Sequence, residues 1–534
     1  MKFTDDFMGF FGKRPRLKVL FVTSEETPFA KVGGLGEIMF SLPRALNKLG
    51  HDARVMIPRY GTIERPFPPF SMEYEGLDVP TAPEQSGTRL ICNVLRYDPT
   101  DDPHAPAITY FLENKEYYEL RSNIYGYKDD AVRFALLARG CLEFLNSGGG
   151  WLPDVLVATD WMTGFLPNFL ATDYREYKKL RKIASVFSIH NLNSQGPQGD
   201  HRFVPESDLD NGYGSMPDFF DPRMENINAM RRGILYADAI NTVSQKYAQE
   251  IMTEEFGEGL DGILRERRDR IFGILNGIDY ETNNPASDNY LAANFSVKNL
   301  ERRGENKIYL QKHFGLPQGQ QIFLSGIVSR LTRQKGFSLF PQVIESFLKE
   351  TRSQIIIMGT GEIEIMTYFQ DLEKKFPDQV RVRLQFDGIL PHLIFAGADV
   401  VLVPSNFEPS GLTQMEAMRY GAIPVARRVG GLADTIEDFN PETLEGTGFL
   451  FDEFNPMAFL IALIRSFVNW KHHASWRKLQ CSAMEKDFSW ERSAKEYERL
   501  FYLAADFHAR NGIKPRYIPS DTSHHLTHGL KPDL

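Results

Sequence analysis

Cysteine is scarce: the 534 residues include three, Cys92, Cys141 and Cys481, far apart and with no C-x-x-C pair. That spacing excludes a disulfide scaffold and a cysteine-based zinc site, and it predicts a reducing, cytoplasmic compartment. Long hydrophobic runs are also missing. No window reaches the roughly 18 consecutive apolar residues that span a bilayer; even 154–170 is broken by Asp160, Pro167 and Asn168. The apolar run from Phe7 to Phe11, preceded by Asp5 and Asp6, is too short and wrongly flanked for a secretory signal. A cationic surplus is absent too, because 61 Lys and Arg against 70 Asp and Glu leave a net charge of −9. No overall field favours nucleic acid or an anionic membrane, so neither is expected as a partner and any anion site must be local.

What is present is ordinary globular material. Hydrophobic residues at 42% and charged residues at 25% exclude wholesale disorder and fibrous rods. At about 150 residues per domain, the length predicts two large domains or three ordinary ones. Short apolar, β-branched runs bounded by turn residues recur along the chain: Leu17 to Thr23, His51 to Ile57, Asp154 to Ala158, Lys182 to Ile189 and Ala239 to Val243. A helix over about Gly36 to Leu49 puts Ile38, Leu42, Ala45, Leu46 and Leu49 on one face and stops at Gly50. A second series covers Gln321 to Val328, Gln354 to Met358, Asp399 to Val403 and Ile423 to Ala426. Alternating strand and helix predicts an α/β chain with two doubly wound parallel sheets. The stretch from Asn276 to Pro285, dense in Asn, Gly and Pro, is read as the connection between them. The tail from Asn511 has no helical periodicity and is read as mobile; its His524, His525 and His528 lack the rigid scaffold that metal ligation requires, so no metal is expected.

Three loops carry candidate chemistry. Lys31-Val-Gly-Gly-Leu-Gly-Glu37 joins a strand to a helix, where glycines let backbone amides approach an anion and Lys31 adds a mobile charge. The spacing fits neither the dinucleotide fingerprint nor the P-loop. Ser329-Arg-Leu-Thr-Arg-Gln-Lys-Gly336 places Arg330 and Lys335 beyond the C-terminal end of a strand, where open α/β sheets bind ligands. A guanidinium fork and an ammonium suit a diphosphate and the charge that grows on it as a bond breaks. Pro404 to Glu416 again follows a strand; it offers Glu408, the amides of Gly411, Leu412 and Thr413 at a helix start, and Glu416 on that helix. Each loop alone also fits a tight packing turn, a solvated basic loop or a capped helix end. Gly430 to Asp434 reads as a further strand-to-loop turn.

Taken together, these segments resemble the bacterial glycogen synthase and plant starch synthase family over residues 17–505. The resemblance rests on Lys31 to Gly36, Asp160-Trp-Met-Thr-Gly164, Ile189-His-Asn-Leu192, Asn276-Gly-Ile-Asp279, Arg330 to Gly336, Glu408 to Gln414, Arg419-Tyr-Gly421 and Gly430 to Asp434. It implies a GT-B fold of two Rossmann-like domains: an N-terminal extension 1–16, an acceptor-side domain 17–275, a nucleotide-sugar domain 276–488, a helix 489–510 crossing back to the first domain, and the tail 511–534. The implied activity is retaining transfer of glucose from ADP-glucose to the non-reducing 4-OH of an α-1,4-glucan, without a cofactor or metal. By the same resemblance, Lys31, Arg330 and Lys335 hold the diphosphate, Gly33 and Gly34 line the donor cleft, Glu408 binds the sugar hydroxyls and Glu416 the ribose. Thr159, Asp160, His190, Asn191, Gly411, Leu412 and Thr413 complete the substrate-binding set. Arg330, Lys335 and Glu408 form its catalytic part.

One departure stands out. The family histidine before Asp-Trp is replaced by Thr159, which implies reduced turnover, a different preferred sugar, or compensation by another histidine such as His190. The Cys of the family's Glu-Pro-Cys-Gly is Ser410 here. The residues leave two alternatives open: a GT-B transferase with another nucleotide sugar or acceptor, and a catalytically silent glucan-binding protein. Neither the choice of ADP- or UDP-glucose nor the oligomeric state is legible.

Overall fold

The computed structural model describes residues 15–63, 69–83, 87–99, 105–148, 150–196, 210–385 and 387–510. Most of the N-terminal extension and the whole His-containing tail lie outside the described residues.

Among the described residues, nine strands build the first sheet: β1 (Lys18–Val22), β2 (Asp52–Pro58), β3 (Ser71–Pro80), β4 (Arg89–Tyr97), β5 (Thr109–Glu113), β6 (Val155–Thr159), β7 (Ala184–Ile189), β8 (Ala239–Thr242) and β9 (Ile271–Gly273). Their order is β3-β4-β5-β2-β1-β6-β7-β8-β9. The central strands are short, apolar and buried, as parallel strands covered on both faces must be. At one edge the sheet departs from the parallel expectation, because β3, β4 and β5 pair antiparallel. Within this arm β5 is buried, β4 mixes exposed and buried positions, and β3 is exposed or half-exposed from Ser71 to Gly76, as expected where a sheet runs out to a wet edge. The second sheet holds β10 (Leu324–Val328), β11 (Gln354–Met358), β12 (Val380–Arg383), β13 (Val400–Val403), β14 (Ile423–Arg427) and β15 (Phe449–Phe451), all parallel, in the order β12-β11-β10-β13-β14-β15.

Among the helices that flank the two sheets are α1 (Gly34–Lys48), α2 (Asp130–Ser147), α3 (Gln245–Glu250), α4 (Thr413–Arg419), α5 (Gly430–Thr435), α6 (Pro456–Trp470) and α7 (Trp490–Arg510). α2 is buried almost throughout, so its two arginines need internal partners. Arg133 pairs with Asp130, and Arg139 pairs with Asp173 at 2.6 Å while donating to the Ala82 carbonyl.

The two sheets have separate cores, and the chain passes between them twice. Ile274 belongs to the first core and Ile278 to the second; on the return, Phe488 belongs to the second and Trp490 to the first. The two crossings run side by side, with Ile278 N–H donating to the Phe488 carbonyl at 2.8 Å and Ile278 bridging Ser489. Gly277 is fixed there because a Cβ would lie 2.7 Å from the Trp490 backbone. α7 then lays Tyr497, Leu500, Phe501 and Ala504 into the first core. No helix among the described residues is long and apolar enough to cross a membrane.

Candidate active site

The second unit's side of the cleft is built at the C-terminal ends of β10 and β13. Lys335 Nζ lies 2.6 Å from Glu408 Oε2, and Ser405 Oγ donates to the same oxygen at 2.9 Å. Both charged groups are largely withdrawn from water, with side chains 18% and 7% exposed. An ammonium has three N–H groups, so Lys335 keeps donors for a further anion while holding Glu408. Val328, Ser329, Leu412 and Thr413 line the same cavity. Gly411 has φ +65, and Gln414 Nε2 ties its carbonyl to that of Ser410, which fixes the turn that opens α4. Arg330, two residues beyond β10, has an exposed side chain.

Two close approaches make this packing possible. Gly336 has φ +78, and a Cβ on it would lie 1.9 Å from the Pro404 carbonyl oxygen. Gly430 has φ +45, with a Cβ position 2.0 Å from the Glu408 carbonyl oxygen. The loops carrying Lys335 and Glu408 therefore touch backbone to backbone. Gly336→Ala is expected to destabilise the protein by about 2–4 kcal/mol, the sum of left-handed strain and overpacking. Urea unfolding checks this, and an unshifted midpoint would show that the loop can move aside.

On the facing side, the Gly-rich turn follows β1. Glu25 Oε2 accepts from the amides of Val32 at 2.6 Å and Gly33 at 2.9 Å, while its Oε1 accepts from Tyr125 Oη at 2.6 Å. The Gly33 amide is thus occupied. Lys31 pairs with Glu37. A Cβ on Gly34 would lie 4.0 Å from Leu412 Cδ1, so the two sides meet here. Glu416 on α4 is pushed up to about 7, by burial first and then by the Glu37 charge, with Lys31 opposing. The structure thereby brings Lys31, Gly34, Leu412 and Glu416 into one region across the cleft.

Thr159 ends β6, is fully buried, and donates its hydroxyl to the Val22 carbonyl at 3.4 Å. Asp160 follows with φ +51, a left-handed turn that a short acceptor side chain tolerates. Its Oδ1 accepts from the amides of His190 at 2.8 Å and Asn191 at 3.2 Å. His190 Nε2 lies 3.1 Å from Ser188 Oγ, its Nδ1 has no partner among the described residues, and burial pushes its pKa down to about 4. The ring is neutral and shares the sheet face of Ser188, which bonds Tyr497 of α7.

Burial pushes Asp160 up to about 7, against the two amide hydrogen bonds and with the Glu25 charge adding to the rise. The native state therefore binds this proton more tightly than the unfolded chain does, whose carboxyl titrates near 3.8. The contribution of this group to stability is fully present below about pH 4, falls as pH rises to about 7, and is constant above. Asp160→Asn keeps an acceptor oxygen and removes the ionisation. Its stability relative to the parent is expected to rise across that window, by up to about 1.4 kcal/mol per pH unit. Denaturant unfolding at several pH values tests this, and parallel pH profiles would contradict it.

Sequence reasoning missed Glu25, Tyr125 and Glu250, and it gave Asp434 no partner. Glu25 had a local signal, a carboxylate between a strand end and a Gly-rich turn. Glu250 had none, because its partner is the Gly430 amide, bonded at 3.0 Å to Oε2. Asp434 Oδ2 reciprocates by accepting from Lys246 N–H at 2.8 Å. The segment 430–434, read as a turn, is the first part of α5.

Residues 18–266 match the family described as starch synthase catalytic domain, and residues 309–479 match glycosyl transferases group 1. The chain is 40% identical over 489 residues to a glycogen synthase of Anoxybacillus flavithermus, covering 91% of this chain and 97% of that protein. It is 37% identical over 501 residues to a glycogen synthase of Thermotoga petrophila, covering 91% and 99%. Among solved structures, the catalytic domain of starch synthase IV from Arabidopsis thaliana, bound to ADP and acarbose, superposes with a TM-score of 0.76 at 31% identity, covering 92% of this chain and all of that one. Sucrose-phosphate synthase from Thermosynechococcus elongatus shares the fold, with a TM-score of 0.55 at 16% identity over 91% of this chain and 98% of that one. With two Rossmann-like units facing one cleft, the chain belongs to the glycogen and starch synthase family of GT-B glycosyltransferases.

Proposed function

We propose that the protein transfers glucose from ADP-glucose to the non-reducing 4-OH of an α-1,4-glucan with retention, and that it does so in the cytoplasm. The observation that carries this reading is the Lys335–Glu408 pair, 2.6 Å apart, in a cavity also lined by Leu412, the residue that meets Gly34 of the Gly-rich turn across the cleft. In this reading residues 17–275 present the acceptor, 276–488 bind the donor, and 489–510 tie the two together. Lys335 and Arg330 bind the diphosphate, with Lys31 reaching it from the other side. Glu408 accepts from sugar hydroxyls while its charge is balanced by Lys335, and Glu416 takes the ribose diol. The amides of Gly34, Gly411, Leu412 and Thr413 line the donor site, whereas Gly33 acts through its bond to Glu25. Asp160, His190 and Asn191 shape the floor next to Thr159.

The acceptor 4-OH attacks the anomeric carbon on the face the diphosphate leaves. As the C1–O bond to the β-phosphate breaks and the new C1–O4 bond forms, the departing phosphate oxygen takes the acceptor proton. No separate acid is needed, because cations already stabilise the leaving group. ADP release from ADP-glucose, dependent on glycogen and matched by chain growth, is the expected result. Release only from another nucleotide sugar, or from none by folded protein, overturns the assignment.

A further inference from the structure

The outward face of α6 is apolar from end to end. The four residues of this helix that stand clearly in solvent are Met457 at 60%, Ile461 at 56%, Ile464 at 43% and Val468 at 47% exposure. A surface helix normally turns charged or polar residues outward. Here the polar side chains are spent elsewhere: Arg465 reaches Asp438, Ser466 Oγ bonds the Leu463 carbonyl, and Asn469 Nδ2 bonds the Arg465 carbonyl. The inner face is separately satisfied by Phe459, Ala462, Leu463 and Trp470 in the second core. Among the described residues, the outer stripe therefore has no role in holding the fold together.

Its spacing admits a second copy of the same helix, and the charges at its ends favour one. The intervals 457–461, 461–464 and 464–468 read four, three, four, the same in both directions. Two copies of α6 laid antiparallel about a two-fold axis place Ile461 against Ile464 of the other copy and Met457 against Val468. Such an isologous contact requires a self-complementary patch, which this is. The ends agree in charge: exposed Asp452 and Glu453 precede the helix, and exposed Lys471, His472 and His473 follow it. Antiparallel pairing sets acidic end beside basic end twice. A lipid surface would instead call for Lys and Arg flanking the stripe, and Arg465 is turned away to Asp438.

We propose that α6 is a self-association surface through which two copies of this chain pair antiparallel. One helix pair falls below the roughly 1,200 Å² of a standard interface, so the dimer is weak and concentration-dependent. Sedimentation velocity of the full chain between about 1 and 100 µM should show the mass rising towards twice the monomer's. Ile461→Glu and Ile464→Lys should each remain monomeric throughout, with unchanged melting temperature and glucosyl transfer. Mixed in equal amounts they should pair again, because position 461 of one copy faces 464 of the other and the new carboxylate meets the new ammonium. A monomeric parent chain, or a dimer that both variants retain, overturns the proposal. So does a chain that floats with anionic vesicles.

Discussion

Lys335→Ala is expected to lower glucose transfer by about 10- to 100-fold, with the loss mainly in kcat. The ammonium has two tasks in the proposed site. It neutralises Glu408 at 2.6 Å, and its remaining N–H groups point a positive charge at a diphosphate whose negative charge grows as the sugar departs. Interactions that strengthen towards the transition state act on kcat rather than on KM. Alanine also leaves Glu408 with only the Ser405 hydroxyl, and an orphaned carboxylate in a nearly dry site is destabilising by about 3–5 kcal/mol. A loss of activity alone would therefore not separate catalysis from structure. The double variant Lys335→Met/Glu408→Gln, compared with Glu408→Gln alone, does so, since it removes both charges together and the single variant accounts for the loss of the carboxylate. The double variant should recover much of the melting temperature and none of the turnover. Recovered turnover would show that the lysine serves only to hold Glu408, and unchanged kcat in folded Lys335→Ala would remove it from the site.

The parts of this site that could be read from sequence are those whose chemistry is local. Lys31 beside glycines, Lys335 after an apolar run, and Glu408 eight residues before Glu416 announce themselves by residue type at a strand end. The parallel strands are equally legible, because β1, β6, β7, β10 and β13 are short apolar runs ending in turns. The β3–β5 arm is not legible in the same way, since its half-exposed pattern with Gly76 and two register shifts resembles a loop. α2 escapes because a helix buried all round has no polar face to supply a period. Long-range partners leave no local trace. The Glu25 carboxylate occupying the Gly33 amide alters the donor turn, yet a Gly-rich sequence gives no indication of which of its amides are free. Thr159 is another such case: its hydroxyl is tied to the Val22 carbonyl, and the buried His190 ring bonds Ser188, long-range and local contacts that the residue types alone do not announce.

Glu250→Arg should open the cleft, cutting kcat/KM by about tenfold or more and enlarging the radius of gyration in solution scattering. α3 and α5 belong to different units and cap each other: Glu250 accepts from Gly430 N–H at the start of α5, and Asp434 accepts from Lys246 N–H at the start of α3. Each carboxylate meets the positive end of the opposing helix. Burial nevertheless holds both above the usual carboxylate range, Glu250 against its bond from Gly430 and Asp434 against its bond from Lys246. The capping bonds therefore do not fully offset the dehydration of either carboxylate. An arginine at 250 sets a cation against a helix N-terminus and leaves the Gly430 amide without its acceptor, whereas Glu250→Gln keeps an acceptor and should behave like the parent. Gly430 also packs on the Glu408 carbonyl, and Gly431 N–H donates to it at 3.0 Å, so a local distortion of Glu408 could mimic opening. Asp434→Lys separates the two, because it breaks the other cap without removing the Gly430 bond. Equal losses of rate and equal gains in radius from both reversals assign the effect to closure. A loss confined to Glu250→Arg, with an unchanged radius, assigns it to the loop that carries Glu408.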